Sequence, residues 1–388
     1  MPGVPSSTWS YPTSIRSGAG RITEAPEACR EASITNPLIV TDPGLAQLPP
    51  VESLRNVLTE SGLPHATFSD LRPNPVDRDV AVGVAAFTAG GHDGVIAIGG
   101  GSALDVGKLI AFHAGQTRPL WDFEDIGDWW TRADADAIAP VIAVPTTAGT
   151  GSEVGRAGVV IDESTQRKVI VFHPRMLPVT VIADPELTLG LPRALTVGTG
   201  LDALSHSLEA ICSPGHHPMS HGIGMEGCRL VLEHLPTAAD NPTDLAARSQ
   251  MLTAAAMGAV AFQKGLGAMH ALAHPIGAHF DTHHGMTNAV LMPFVLVANR
   301  PAIESTIERL AAYTGIGGGF DGFLDHIVEL RTRLDVPPTL TALGVDPDAV
   351  DTIATEAVAD PSAGTNPIEV DPTFAAAVFE SACTGRLG

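Results

Sequence analysis

The stretch GVIAIGGGSALDVGKLIAFHA, residues 94–114, decides how the rest of the chain is read. GVIAI is a short apolar run, three glycines end it, and ALDVGKLIAFHA continues with apolar residues at helical spacing, so the order is strand, turn, helix. Outward from it, PLIVTD (37–42), PVIAVPTT (140–147) and VTVIADP (179–185) are further β-branched runs ended by Gly, Pro or Asp. Strands buried on both faces of a parallel sheet have this composition. VESLRNVLTESGL (51–63) and DVAVGVAAFTAGGH (79–92) lie between the first two strands with helical period, which makes the unit βαβ and predicts an open α/β sheet. After about residue 190 the strand pattern stops, and Ala, Leu, Met and His segments of helical period run nearly to the end. The expectation is an α/β domain over 1–190 and an all-α domain over 191–388, with LPRALTVGTG (191–200) as the boundary. DVPPT (335–339) and DPSAGTNP (360–367) read as turns between helices.

The 388-residue length fits two domains of roughly 150 to 200 residues. Acidic residues number 43 against 22 basic ones, for a net charge of -21, and no basic patch is available to follow a phosphate backbone. Nucleic acid and anionic membrane surfaces are therefore excluded as expected partners. Cys29, Cys212, Cys228 and Cys383 are far apart and form no CxxC, which suggests neither a disulfide framework nor a thiolate zinc site and fits a reducing cytoplasm. The opening MPGVPSSTWSYPT lacks the basic and apolar regions of a secretory leader, and no apolar run reaches the length of about 18 that a membrane span needs. LWDFEDIGDWWTRADAD (120–136) holds three of the four tryptophans among many acids, as a surface excursion or an oligomer contact.

Two loops follow strands. In GGGSALDVGK (99–108) backbone N–H groups at a helix start, free of Cβ atoms, can receive a pyrophosphate, although the spacing is not GxGxxG and a tight strand-to-helix turn would use the same glycines. PTTAGTGSE (145–153) offers hydroxyls and glycines that can wrap a sugar or diphosphate, or simply make a hydroxyl-rich turn. Asp42, at the end of PLIVTD, stands where a carboxylate can accept from a ribose 2′-OH and repel a 2′-phosphate.

HALAHPIGAHFDTHHG (270–285) holds five of the fifteen histidines in sixteen positions. His270 and His274 are spaced i, i+4, as are Asp202 and His206 in GLDALSHSLEA, so each pair projects from one helix face. His284 follows, directly before glycine. A carboxylate with neutral imidazoles suits a borderline divalent cation such as Fe²⁺, Zn²⁺, Mn²⁺ or Ni²⁺. The order is not HExxH, and no Glu is placed as the base of a hydrolytic zinc site, which disfavours protease chemistry.

GGGSALDVGK, PTTAGTGSE, DPELT (184–188), GLDALSHSLEA, HALAHPIGAHFDTHHGMTNAVLMP (270–293) and TNP (365–367) occur in the order found in the iron-containing, group III, alcohol dehydrogenases, and the chain resembles that family over nearly its whole length. The resemblance implies a dinucleotide-binding α/β domain, a helical metal-binding and catalytic domain, and an active site in the cleft between them. It implies Asp202, His206, His270 and His284 as metal ligands, Fe²⁺ as the expected metal with Zn²⁺ or Mn²⁺ as alternatives, and His274 beside the nicotinamide as a catalytic residue. His279 and His283 receive no role. Gly99, Gly100, Gly101 and Ser102 would receive the pyrophosphate; Asp105, also a catalytic candidate, Thr146, Thr147 and Thr150 would line the nicotinamide side; Asp42 would favour NAD(H) over NADP(H). The family commonly forms dimers or larger homo-oligomers.

The implied activity is metal-dependent reduction of a small aldehyde, or oxidation of the alcohol. Lys264, six residues before His270 in an apolar segment, is a candidate to pair with the distal acid of a semialdehyde; a lysine reaching the surface or a neighbouring helix is the alternative. Other enzymes of the same architecture are competing readings. Glycerol-1-phosphate dehydrogenase and dehydroquinate synthase take phosphate-bearing substrates in sites richer in Lys and Arg, and a maleylacetate reductase relative is opposed by the complete ligand set. A non-catalytic metal- or nucleotide-binding protein is the alternative outside enzymes.

Overall fold

The computed structural model describes residues 10–165 and 167–387. The first nine residues, where no leader is expected, lie outside the described residues. The strands are β1 (Ser14–Ser17), β2 (Pro37–Val40), β3 (Ala66–Phe68), β4 (Gly94–Gly99), β5 (Val141–Pro145), β6 (Ala157–Asp162), β7 (Arg167–Phe172) and β8 (Thr180–Ala183). Helices α1 (Ala25–Glu31), α2 (Pro49–Glu60), α3 (Asp77–Ala89) and α4 (Gly101–His113) alternate with the early strands. From residue 193 onward come α5 (Arg193–Cys212), α6 (Pro218–Asp240), α7 (Leu245–Ala261), α8 (Ala268–Phe280), α9 (His284–Thr314), α10 (Gly319–Arg333), α11 (Val350–Ala359) and α12 (Pro372–Thr384).

Residues 11–191 and 243–252 form one compact unit. Its sheet has the order β1-β8-β5-β4-β2-β3, and every pairing in it is parallel. The expected apolar runs supply its centre: β2, β4, β5 and β8 are buried at every position, as a sheet covered on both faces requires. Ile39, Ile96, Ile98, Ile142, Val144 and Ile182 meet the buried faces of α1 and α2 in one core cluster. Val80 of α3 with Leu109 and Phe112 of α4 belong to a second, shared with Val160 and Val171. These last two belong to an antiparallel hairpin, β6–β7, which sequence alternation alone did not reveal. The Trp-rich excursion forms short 3₁₀ turns, anchored by buried Leu120 and Phe123, while Asp125 to Asp128 are exposed.

Residues 192–242 and 253–387, with Ser10, form the second unit, whose described regular elements are all helices. Its central helix is α5, against which α6 and α9 pack; α8 packs on α9 and α11. Fifteen of the twenty residues of α5 are buried, including Asp202, His206 and Glu209. That burial makes the polar residues of α5 conspicuous, because buried polar groups must find partners. No described helix is long and apolar enough to cross a membrane.

Candidate metal centre and cofactor loops

Asp202 and His206 stand one turn apart on α5, with Asp202 Oδ1 4.0 Å from His206 Nε2. α8 brings His270, whose ring stacks on His206 with centroids 4.8 Å apart and planes 18° from parallel. His284, the first residue of α9, places Nε2 3.6 Å from Asp202 Oδ1. The donor atoms of Asp202, His206 and His270 all lie within 4.8 Å of one another. Gly285 makes the approach of α9 possible: a Cβ there would stand 2.2 Å from the Gly198 carbonyl oxygen. The glycine after His284 is thus a steric requirement of the cluster.

Two carboxylates outside the cluster orient its rings. Glu209, one turn beyond His206 on the buried face of α5, accepts from His270 Nδ1 at 2.5 Å through Oε2 and from the Met269 amide at 2.7 Å through Oε1. With its proton held on Nδ1, His270 presents the Nε2 lone pair to Asp202, His206 and His284. Burial alone lowers the His270 pKa, but the charge and hydrogen bond of Glu209, with Asp202 and Asp360 behind it, outweigh burial and raise it. His274, a turn further along α8, is bound through Nδ1 to Asp360 Oδ2 at 2.7 Å and stacks on His284 at 5.4 Å and 9°. Burial pushes the Asp360 carboxyl up, yet the His274 hydrogen bond and charge and the Ser362 amide hold it below its ordinary value.

A third residue, Asn288, stands inside the cluster. Its Nδ2 lies 3.0 Å from Asp202 Oδ1, 3.2 Å from His284 Nε2 and 3.3 Å from His270 Nε2, while its Oδ1 is buried without a hydrogen-bond partner among the described residues. Two amide hydrogens face three lone-pair atoms. One carboxylate oxygen and three imidazole nitrogens converging fit a borderline divalent cation by their donor chemistry. Glu209, Asp360 and Asn288 were not singled out from the sequence. The i, i+4 spacing of His284 and Asn288 was the one available signal, since it puts both on the same face of α9.

The remaining candidates separate. Lys264 does not present its ammonium to a substrate acid: Nζ donates to the carbonyls of Ala210 and Ile211 at 3.0 and 3.2 Å and caps the C-terminus of α5. A cation there satisfies orphan carbonyls and the negative end of the helix dipole, which corrects the substrate assignment. His279 pairs with Glu356 at 3.0 Å, and His283 caps α9 by accepting from the Met286 amide at 3.3 Å.

In the α/β unit the two loops interlock. The Thr146 amide donates to the Gly99 carbonyl at 3.0 Å, and a Cβ on Gly101 would meet Thr150 Cγ2 at 2.7 Å. α4 begins at Gly101 with no side-chain cap, leaving its first N–H groups to another acceptor. Asp42 accepts from the Leu45 amide through Oδ1, and its Oδ2 lies 3.3 Å from where a Gly99 Cβ would stand, so the acid borders the glycine loop. Thr147 lies over Gly100, where a Cβ would be 3.4 Å from it. The Ser102 hydroxyl donates to the Pro73 carbonyl. Asp105 is engaged within the loop framework: Oδ1 accepts from Ser152 Oγ at 2.5 Å and pairs with Lys108 Nζ at 3.2 Å, and Oδ2 accepts from the Val159 amide. Lys108, buried, also donates to the Ser152 and Ala157 carbonyls. Glu153 is buried beside it, and burial, against its own amide and Lys108, pushes its pKa up to about 7.

A parallel α/β unit with a glycine loop at a helix start, joined in sequence to a helical unit carrying an Asp-His cluster, defines a metal-dependent, nucleotide-linked oxidoreductase. Residues 12–185 match the family described as iron-containing alcohol dehydrogenase, and residues 196–383 match its C-terminal region. The chain belongs to the iron-containing alcohol dehydrogenase family. It is 36% identical over 369 residues to the 4-hydroxybutyrate dehydrogenase of Cupriavidus necator, covering 92% of this chain and 95% of that protein. The crystal structure of a 1,3-propanediol oxidoreductase superposes with a TM-score of 0.91 at 32% identity, covering 97% of this chain and 100% of the other. The sulfoacetaldehyde reductase of Bifidobacterium kashiwanohense, solved in complex with NAD⁺, superposes with a TM-score of 0.89 at 26% identity over 98% of this chain and 100% of the other.

Proposed function

We propose that this protein is an NAD(H)-dependent, divalent-metal-dependent alcohol dehydrogenase that interconverts a small alcohol, or the alcohol of a semialdehyde, with its aldehyde. The observation that carries the proposal is the Asp202, His206, His270 and His284 cluster, with Glu209 fixing the tautomer of one ligand, in a chain of this family. Those four residues would hold the metal, Fe²⁺ in first place, and Asp42, Gly99, Gly100, Gly101, Ser102, Thr146, Thr147 and Thr150 the dinucleotide. When bound, the metal supplies Lewis acidity toward the carbonyl oxygen, and the nicotinamide supplies the hydride for its carbon.

The chain's own groups handle orientation and the proton. Glu209 keeps the His270 proton on Nδ1 and its Nε2 free for ligation. Asp360 holds His274 in the corresponding tautomer, so that Nε2 of His274 is the atom that gives a proton to the product alkoxide oxygen or takes one from the alcohol. Each turnover in the reducing direction consumes one aldehyde, one NADH and one proton and yields the alcohol and NAD⁺. Asp105 contributes by locking the hydroxyl-rich loop to α4 and β6, a positioning role. An acid-bearing substrate is supported by the likeness to the 4-hydroxybutyrate and sulfoacetaldehyde enzymes and does not rest on Lys264. The same proposal includes assembly as a dimer or larger homo-oligomer and a reducing, cytoplasmic setting that suits the four free cysteines.

The test is to strip the protein with a chelator and follow NADH oxidation with neutral and acid-bearing aldehydes before and after anaerobic return of Fe²⁺, Zn²⁺ or Mn²⁺. Activity that vanishes and returns with a metal is the expected result. No turnover under any metal, with NADH still bound, would overturn the proposal.

A further inference from the structure

We propose that Asn288 is a positioning residue of the metal centre: its amide fixes the Asp202 carboxylate and gathers three of the ligand atoms about one point. The inference rests on the reading of the cluster as a metal site. It starts from an electrostatic difficulty. Asp202 Oδ1 and the Nε2 atoms of His270 and His284 all carry lone pairs, all are drawn to one place by the packing of α5, α8 and α9, and Asp202 and His270 are buried. Acceptors brought together in a region of low dielectric repel one another unless a donor stands among them.

Asn288 supplies the donor. It is fully buried, it follows His284 by one turn of α9, and its Nδ2 lies 3.0 to 3.3 Å from all three atoms. An amide is a neutral donor, so it satisfies lone pairs without adding a charge that would oppose a cation. Its two hydrogens are shared among three acceptors, and Oδ1 has no hydrogen-bond partner among the described residues.

A bound cation would change these contacts unevenly. A neutral imidazole has a single lone pair on Nε2, which ligation consumes, whereas a carboxylate oxygen has enough lone pairs to ligate and still accept a hydrogen bond. With a cation held by the four ligands, the Asn288 bond to Asp202 would persist, whereas the lone pairs of His270 and His284 would no longer be available to it. Asn288 thus prepares the site and then orients the one anionic ligand, as hydrogen-bonding partners of metal ligands generally do.

The experiment uses full-length protein stripped of metal. Wild type and Asn288→Leu, which keeps the branched heavy-atom outline and removes the donor, are titrated with Co²⁺ against a chromophoric chelator while the d–d spectrum is recorded. Asn288→Leu should raise the Co²⁺ Kd by about 10- to 100-fold and alter the spectrum, while NADH binding, followed by fluorescence, is unchanged. Asn288→Asp is the second variant. It sets a second carboxylate against Asp202, so its metal-free melting temperature should fall below that of wild type and its rise on adding Co²⁺ should exceed that of wild type. A Co²⁺ Kd for Asn288→Leu within twofold of wild type, or a metal-free Asn288→Asp protein that melts like wild type, overturns the proposal. If Asn288→Leu does not fold, the Asn288→Asp melts decide. Wild type that binds no Co²⁺ overturns the metal-site reading itself, a result distinct from weak binding confined to the variants.

Discussion

Replacing Glu209 by Gln changes neither volume nor shape, and its effect follows from counting acceptors. The carboxylate accepts twice, from the Met269 amide and from His270 Nδ1, with both Glu209 and His270 buried. Glutamine has one acceptor oxygen. If that oxygen stays on the Met269 amide, at the start of α8, its NH₂ group faces the His270 N–H. The imidazole then either keeps a buried donor without a partner, at about 1–3 kcal/mol, or moves its proton to Nε2 and loses the lone pair required at the metal. Either outcome weakens ligation, and loss of such an outer partner typically costs about 10- to 100-fold in metal affinity, or roughly 1.4–2.7 kcal/mol. Competition titration of chelator-stripped wild type and Glu209→Gln with Fe²⁺ or Co²⁺, alongside melts of both metal-free proteins, measures this. A Glu209→Gln protein that folds cooperatively and binds metal within twofold of wild type would refute the reasoning.

Three further outcomes are expected. Glu153, with its pKa raised from 4.5 to about 7 by burial, keeps a proton in the folded chain that the unfolded chain has lost between those pH values, so its contribution to stability falls as pH rises through that window by roughly 3 kcal/mol. Glu153→Gln removes the dependence; urea midpoints should favour the variant at pH 8 and converge near pH 4.5, and parallel curves for the two proteins would count against this. Lys264→Met uncaps α5 and should lower stability by about 1 kcal/mol while leaving the KM ratio of anionic to neutral aldehydes unchanged; a rise confined to anionic aldehydes would restore the substrate role. Asp42→Ser removes a negative charge beside the glycine loop and should improve kcat/KM with NADPH relative to NADH by about tenfold, whereas an unchanged ratio would show that the acid serves only its turn with Leu45.

Much of the architecture was legible because its signals are local. The apolar runs at 37–42, 94–99, 140–145 and 179–183 became adjacent parallel strands, since a run with no polar face has to be buried on both sides. The β6–β7 hairpin was less visible, because VVID and KVIV alternate weakly and one face packs on α4. Helical spacing paired Asp202 with His206 and His270 with His274 as candidates, whereas the choice of His284 over its neighbour His283 came from the family resemblance.

What completes them was not local. Glu209 meets His270 across 61 residues and Asp360 meets His274 across 86, and nothing in SLEA or VADPS reports the partner. Lys264 lay near His270 in sequence, and the packing turned it onto the end of α5, because helix carbonyls must be satisfied wherever a cation can reach them. The sequence by itself determined the element types, the parallel sheet and the residue types able to hold a divalent cation, all of which follow from periodicity and side-chain chemistry. Only the tertiary structure decided which buried donor answers which acceptor, because a hydrogen bond depends on separations of about 3 Å that residues far apart in the chain reach only after the helices pack.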